Sequence, residues 1–212
     1  MMNTHTFKTS LGTNSQIACI NDCAIAVTDP LYNNIHIVTI ITPTGTTDFG
    51  IPTGTGMTGG ITCRMNILYV AFSDAIRLMD LTGQIQRVIN IPSVNELHSV
   101  NNDQMLCVYS QDAEKTMACL DLTNDKVHGF ERFPFHPKEV TTDDVGNIIF
   151  IAEGVIWQVT SDGKNFKILI TPNNNNLYTR LTYLKNSKVL VTFQEDKVDT
   201  RDIKVKLYRK QE

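Results

Sequence analysis

The sequence predicts an all-β fold, a β-propeller of five four-stranded blades closed by the N-terminal strand. Two observations carry this expectation. Val or Ile recurs at the end of a short apolar run at Val27, Val70, Val108, Ile151 and Val191, in steps of 43, 38, 43 and 40 residues. A fixed period near 40 residues, made of short strands and turn residues, marks a propeller or a related array. Proline then punctuates the copies at Pro52, Pro92, Pro134 and Pro172. Because proline cannot donate to a sheet ladder, it marks where the chain leaves one blade for the next. The blades therefore span 13–52, 53–92, 93–134, 135–172 and 173–212, in one domain.

Each blade reads as four strands, a to d. The a–b turns carry Asn every time: Asn21-Asp22, Met65-Asn66, Asn101-Asn102-Asp103, Gly146-Asn147 and Lys185-Asn186. Asn tolerates the left-handed backbone that tight hairpins need. The b strands, such as Ile67 to Phe72 and Asn147 to Ala152, are continuous apolar runs. A strand apolar on both faces must be covered on both, as face-to-face blades would do. The c strands are Ile35 to Ile40, Ile76 to Asp80, Met117 to Asp121, Ile156 to Thr160 and Ile203 to Tyr208; four end in a turn closed by Gly45, Gly83, Asn124 or Gly163. The d strands alternate and are more polar, as in Gln84 to Ile91, which suits an edge with one wet face.

The fifth copy stops after its c strand. Residues 5–11, His5 to Leu11, match the d strand Asn165 to Ile170 and are expected to complete the last sheet, which removes two exposed edges. The alternative is a fragment of a six-bladed propeller.

Composition bounds the function. With 42% hydrophobic and 19% charged residues and a net charge of −3, the 212-residue chain has a globular composition and is a poor general polyanion binder. The start Met1 to Lys8 lacks the basic and apolar stretches of a secretory signal. Cys19, Cys23, Cys63, Cys107 and Cys119 are odd in number and sit mostly in apolar strand patterns, so they read as reduced core thiols in a cytoplasmic protein.

The fourth copy, Pro137-Lys138-Glu139-Val140-Thr141-Thr142-Asp143-Asp144-Val145-Gly146-Asn147 with its apolar strand and the c strand Ile156 to Thr160 ending in Ser161-Asp162-Gly163, resembles the NHL repeat. The ending Ile203 to Tyr208 is similar to the last c strand of such propellers. The likeness is clear in the fourth copy, partial in the second and weak elsewhere. It extends to the C-terminal propellers of tripartite-motif proteins, where the ring recognises substrate beside a RING, a B-box and a coiled coil. The resemblance implies a recognition domain of the ubiquitin pathway. This chain has neither paired Cys/His zinc spacing nor a heptad stretch, so ligase chemistry is not expected within it. Family rings are usually six-bladed, and some members bind RNA on a basic face. The one basic cluster here, Lys204, Lys206, Arg209 and Lys210, reads first as a solvated strand face.

Candidate sites follow from the repeat. Asp29, Asp74, Asp112, Glu153 and Glu195 fall two to four residues past the marker Val or Ile, on one mouth of a propeller. Converging carboxylates would attract a cation or a basic peptide; alternatively each caps its own turn, as Asp does readily. Phe135, His136, Tyr178 and Arg180 lie in connectors on the same mouth and are of types that anchor interfaces, stack on bases or plug the space between blades. Gly54-Thr55-Gly56-Met57-Thr58-Gly59 matches a dinucleotide-loop pattern but joins two strands, so it reads as a flexible connector. With no G-x-S-x-G or H-E-x-x-H, the expectation is a non-catalytic protein-interaction propeller with a protein or peptide partner, no membrane, no metal and no cofactor. An RNA-binding propeller and a metal-dependent lactonase or hydrolase are the alternatives.

Overall fold

The computed structural model describes residues 15–42, 45–100, 103–111, 114–129, 136–172, 176–184, 188–196 and 203–209. They form nineteen strands and no helix. Five antiparallel sheets follow one another along the chain as the blades of a five-bladed β-propeller.

The first contains β1 (Ile17–Asn21), β2 (Ala24–Asp29), β3 (Asn34–Thr42) and β4 (Gly45–Pro52), and the second β5 (Met57–Arg64), β6 (Ile67–Phe72), β7 (Ile76–Met79) and β8 (Ile85–Ile89). The third runs through β9 (Val94–Ser99), β10 (Gln104–Gln111), β11 (Glu114–Asp121) and β12 (Lys126–Gly129). The fourth has β13 (Lys138–Thr142), β14 (Ile148–Ala152), β15 (Val155–Val159) and β16 (Phe166–Ile170). The fifth pairs β17 (Asn176–Leu184), β18 (Val189–Asp196) and β19 (Ile203–Arg209) in that order. The closing strand expected at residues 5–11 lies outside the described residues.

The chain divides into two compact units, Met1–Ser99 and Val100–Glu212. In the first, Ala18, Ala26, Ile35 and Ile51 of one blade pack on Ile61, Leu68, Val70, Phe72 and Met79 of the next. Thr28 Oγ1 donates to the Gly59 carbonyl at 2.8 Å, and Thr58 Oγ1 to the Val94 carbonyl at 2.5 Å, so hydroxyls stitch the inner strands. In the second, Leu106, Val108 and Met117 meet Ile148, Phe150 and Val159, while Ile149, Ile151 and Ile156 meet Tyr178, Leu181 and Leu190. The continuous apolar b strands are buried as patterned: all five residues of β14 are buried, as are Leu68 to Phe72 in β6. The outer β12 is exposed throughout and β8 at its first four residues, so these edges are wet on both faces rather than on the one face that the alternating pattern implies.

Turn chemistry sets the register. Met65 and Asn66 both take positive φ, 47° and 61°, the backbone that a two-residue hairpin needs to match strand twist. At the c–d turns, Asp80 accepts from the Thr82 and Gln84 amides and Asp121 from the Thr123 amide, while Asp162 accepts from the Lys164 amide. Hydroxyl donors, Thr82, Thr123 and Thr160 respectively, are the main cause holding these three carboxyls below the usual carboxylate range. Asp143, in the a–b turn of the fourth blade, takes the Val145 and Asn147 amides on one oxygen and the Asn147 and Gln158 side-chain amides on the other.

The cysteines depart from the core reading. Cys107 is buried and Cys63 and Cys119 half-buried, but Cys19 and Cys23 are exposed. Cys19 lies on the face of β1 that also exposes Ile17, opposite the face where Ala18 is buried, and Cys23 sits in the hairpin turn. Cys19 is paired with Ile25, so the two thiols are not cross-strand partners. Alternation placed Cys19 on an apolar strand without saying which face is covered.

Candidate interaction mouth

Strand alternation puts the b–c turns and the d–a connectors at the same end of each blade. In the first unit that end is built from residues 30–33 and 73–75, which follow β2 and β6, and from the connectors 53–56 and 90–93. A repeated latch holds them. The Thr53 amide donates to the Asn33 carbonyl at 2.9 Å, and 40 residues later the Ser93 amide donates to the Ser73 carbonyl at 2.9 Å. The Ser73 amide in turn donates to the Gly56 carbonyl at 2.7 Å, and Thr53 Oγ1 adds a second bond to Asn33. In the second unit the Tyr178 amide donates to the Gly154 carbonyl at 3.3 Å, tying β17 to the turn after β14.

These latches explain the glycines of the dinucleotide-like pattern. Gly54 and Gly56 hold φ of 76° and 92°, which a side chain would strain, and Gly56 uses that backbone to reach Ser73. Gly54, Thr55 and Gly56 belong to a connector that is tied down rather than loose, and Met57, Thr58 and Gly59 are already the start of β5.

The acidic candidates have differing surroundings. Asp29 is 4% exposed; it accepts from the Tyr32 amide at 3.4 Å and lies 4.0 Å from Nε2 of His36, whose Nδ1 is 3.1 Å from Asp48. Asp74 is exposed and pairs with Arg77 at 3.4 Å, and the Arg77 guanidinium sits 3.9 Å over the Phe72 ring. Glu153 is exposed at the tip of its turn, with φ of 53°. Asp112 and Phe135 lie outside the described residues, as do the side chains of Glu195 and Arg180, whose backbones belong to β18 and β17. Asp29 thus serves its own turn and Asp74 its own blade. Among the described residues no three His, Cys, Asp or Glu side chains are grouped to hold a metal ion.

His136 is exposed just before β13, whereas Tyr178 is 3% exposed and packs in the core of the second unit. Its phenol meets that of Tyr208 at 2.9 Å, and burial first, with that neighbour second, pushes its pKa up. Sequence reasoning missed Leu31 and Tyr32, exposed on the first b–c turn, and missed Arg77. The length of the stretch between Asp29 and the next strand was the available signal.

No family model matches the chain, and no curated protein is similar to it in sequence. Solved structures are similar in fold. A putative TolB from Agrobacterium tumefaciens aligns with a TM-score of 0.71 at 13% identity, over 88% of this chain and 73% of that one. A chain of a nidogen/laminin complex aligns with a TM-score of 0.67 at 13% identity, over 91% and 82%. A catalytically inactive virginiamycin B lyase from Staphylococcus aureus, solved with quinupristin, gives 0.58 at 12% identity, over 91% and 69%. Likeness at this identity establishes the β-propeller fold and leaves function to the site.

Proposed function

We propose that this chain is a non-catalytic recognition propeller that binds a protein segment at the mouth formed by its b–c turns and connectors. The observation that carries the reading is the latch repeated at Asn33–Thr53 and Ser73–Ser93, which fixes recognition loops before any ligand arrives. Loops held in place lose little entropy on binding, so their contacts convert to affinity more fully. A nidogen/laminin complex among the fold neighbours supports the use of such a scaffold for protein contact. The finer version of this reading is a cytoplasmic substrate-recognition domain like those of tripartite-motif NHL ubiquitin ligases.

The test is affinity capture from native extract on the immobilised chain, with and without ribonuclease and with and without a chelator. A specific protein retained under every condition, and lost on a heat-unfolded chain, is the expected result. Recovery abolished by ribonuclease would replace it with RNA binding, and recovery abolished by a chelator with a metal-dependent site.

A further inference from the structure

We infer that Leu31 and Tyr32 are the anchor of that mouth and that they take an uncharged, apolar or aromatic segment of a partner protein. This inference rests on the interaction reading and narrows it to one turn and one ligand chemistry. The segment joining β2 to β3 spans residues 30–33, longer than residues 73–75 of the second blade and the Glu153-Gly154 pair of the fourth. At its tip two large side chains in succession stand in solvent, Leu31 at 68% and Tyr32 at 65% exposure. Isolated exposed apolar residues are ordinary, but an adjacent pair on a fixed loop places apolar surface where a partner can cover it.

The loop is fixed from both sides. Asp29 accepts from the Tyr32 amide, and the Asn33 carbonyl takes both the amide and the hydroxyl of Thr53. Tyrosine held this way gives wide contact area with few torsions to freeze, the property that makes it common among binding hot spots.

Charge selects the ligand. Across 30–33, 53–56, 73–75 and 90–93 the residues are Pro, Leu, Tyr, Asn, Thr, Gly, Ser, Ala, Ile and a single Asp. That residue, Asp74, is paired with Arg77, which Phe72 holds by its ring face. Among the described residues of these four stretches the one charge is paired, and the neighbouring Asp29 is buried, so they offer a partner apolar contact, hydroxyls and backbone groups rather than a free charge to complement a basic or acidic one. A charged segment would lose hydration here without a matching group.

The experiment is selection of a phage-displayed library of random 12-residue peptides on the folded full chain, followed by synthesis of the enriched peptides. Their affinity is then measured against wild type, Leu31→Ser, Tyr32→Ser and Leu31→Glu, at 50 and 500 mM NaCl. Both side chains are largely in solvent, so the variants should keep the wild-type circular dichroism and thermal midpoint, which is checked first. The expected result is peptides poor in Asp, Glu, Lys and Arg, weakened at least tenfold by each variant and little changed by salt. Enriched peptides that are charged, salt-sensitive or indifferent to all three variants would overturn the anchor while leaving a recognition propeller standing. Failure to enrich any peptide would count against both. Self-association of the wild type in sedimentation, lost in Tyr32→Ser, would replace the partner with a second copy of this chain.

Discussion

The phenol oxygens of Tyr178 and Tyr208 lie 2.9 Å apart across the fifth sheet, one from β17 and the other from β19, with β18 between them. Tyr178 is almost wholly buried beside Ile149, Ile151 and Leu190. Ionising it would place a charge in that apolar layer, so burial and Tyr208 raise its pKa above the ordinary value near 10. A raised folded-state pKa means that the neutral form is favoured in the native protein. The stability it contributes is complete below pH of about 10 and is lost as pH climbs past that value. Urea midpoints between pH 8 and 11 should therefore fall more steeply for wild type than for Tyr178→Phe. At pH 8 the variant should lose about 1 kcal/mol, the usual net worth of one hydrogen bond. Equal slopes in the two proteins would show that Tyr178 does not titrate in this way.

Asp143 is a buried carboxylate with both oxygens in use. It is 7% exposed and accepts four hydrogen bonds, two from backbone amides of its own turn and two from the Asn147 and Gln158 side chains at 2.9 and 2.8 Å. Hydrogen bonds to a charged acceptor are worth more than neutral ones, and removal leaves the buried Gln158 amide without this acceptor. Asp143→Ala is expected to lose roughly 2–4 kcal/mol in urea denaturation. Asp143→Asn keeps one acceptor oxygen and should fall between it and wild type. A loss under about 0.5 kcal/mol, typical of an unimportant surface change, would contradict this role.

The blades were legible because each strand type has its own pattern. Leu68 to Phe72 and Ile148 to Ala152 are apolar without interruption and are buried, while the more polar Gln84 to Ile91 stretch holds the exposed β8, whose Ile85 and Val88 stand in solvent although alternation implies one covered face. The site was less legible. Sequence spacing placed Asp29, Asp74 and Glu153 at one end of their blades, but spacing does not say where a carboxylate points. Asp29 turns inward to its own turn and Asp74 toward Arg77. The latch was hidden for a different reason: the bonds from Thr53 to Asn33 and Ser93 to Ser73 are formed by backbone groups, which every sequence carries alike.

The five thiols divide by burial, and alkylation should read the division directly. Cys19 and Cys23 are exposed, whereas burial raises the pKa of Cys63 and Cys119 and pushes that of Cys107 up to about 12, with Cys119 adding to it. The thiolate is the reactive form, so a raised pKa and restricted access act in the same direction. At pH 8, iodoacetamide followed by peptide mass spectrometry should label Cys19 and Cys23 within minutes and Cys63 and Cys119 more slowly. Cys107 should be labelled only after denaturant is added. Early labelling of Cys107 would mean that β10 opens without global unfolding.

Gly60 tests how closely the inner strands of the first unit approach. A Cβ at this position would lie 2.8 Å from the Asn95 carbonyl oxygen and 3.0 Å from the Ala71 Cβ. The first of these is backbone of β9, which cannot swing aside as a side-chain tip can, so Gly60→Ala must push β5 and β9 apart. The nearby bond from Thr58 Oγ1 to the Val94 carbonyl would stretch with them. Overpacking of this kind costs typically 1–3 kcal/mol. Gly129, on the exposed outer β12, has nothing within 4 Å of the same added carbon and supplies the control. Gly60→Ala should lower the urea midpoint clearly and Gly129→Ala hardly at all. If the two variants melt together, the inner strands have room that this packing denies them.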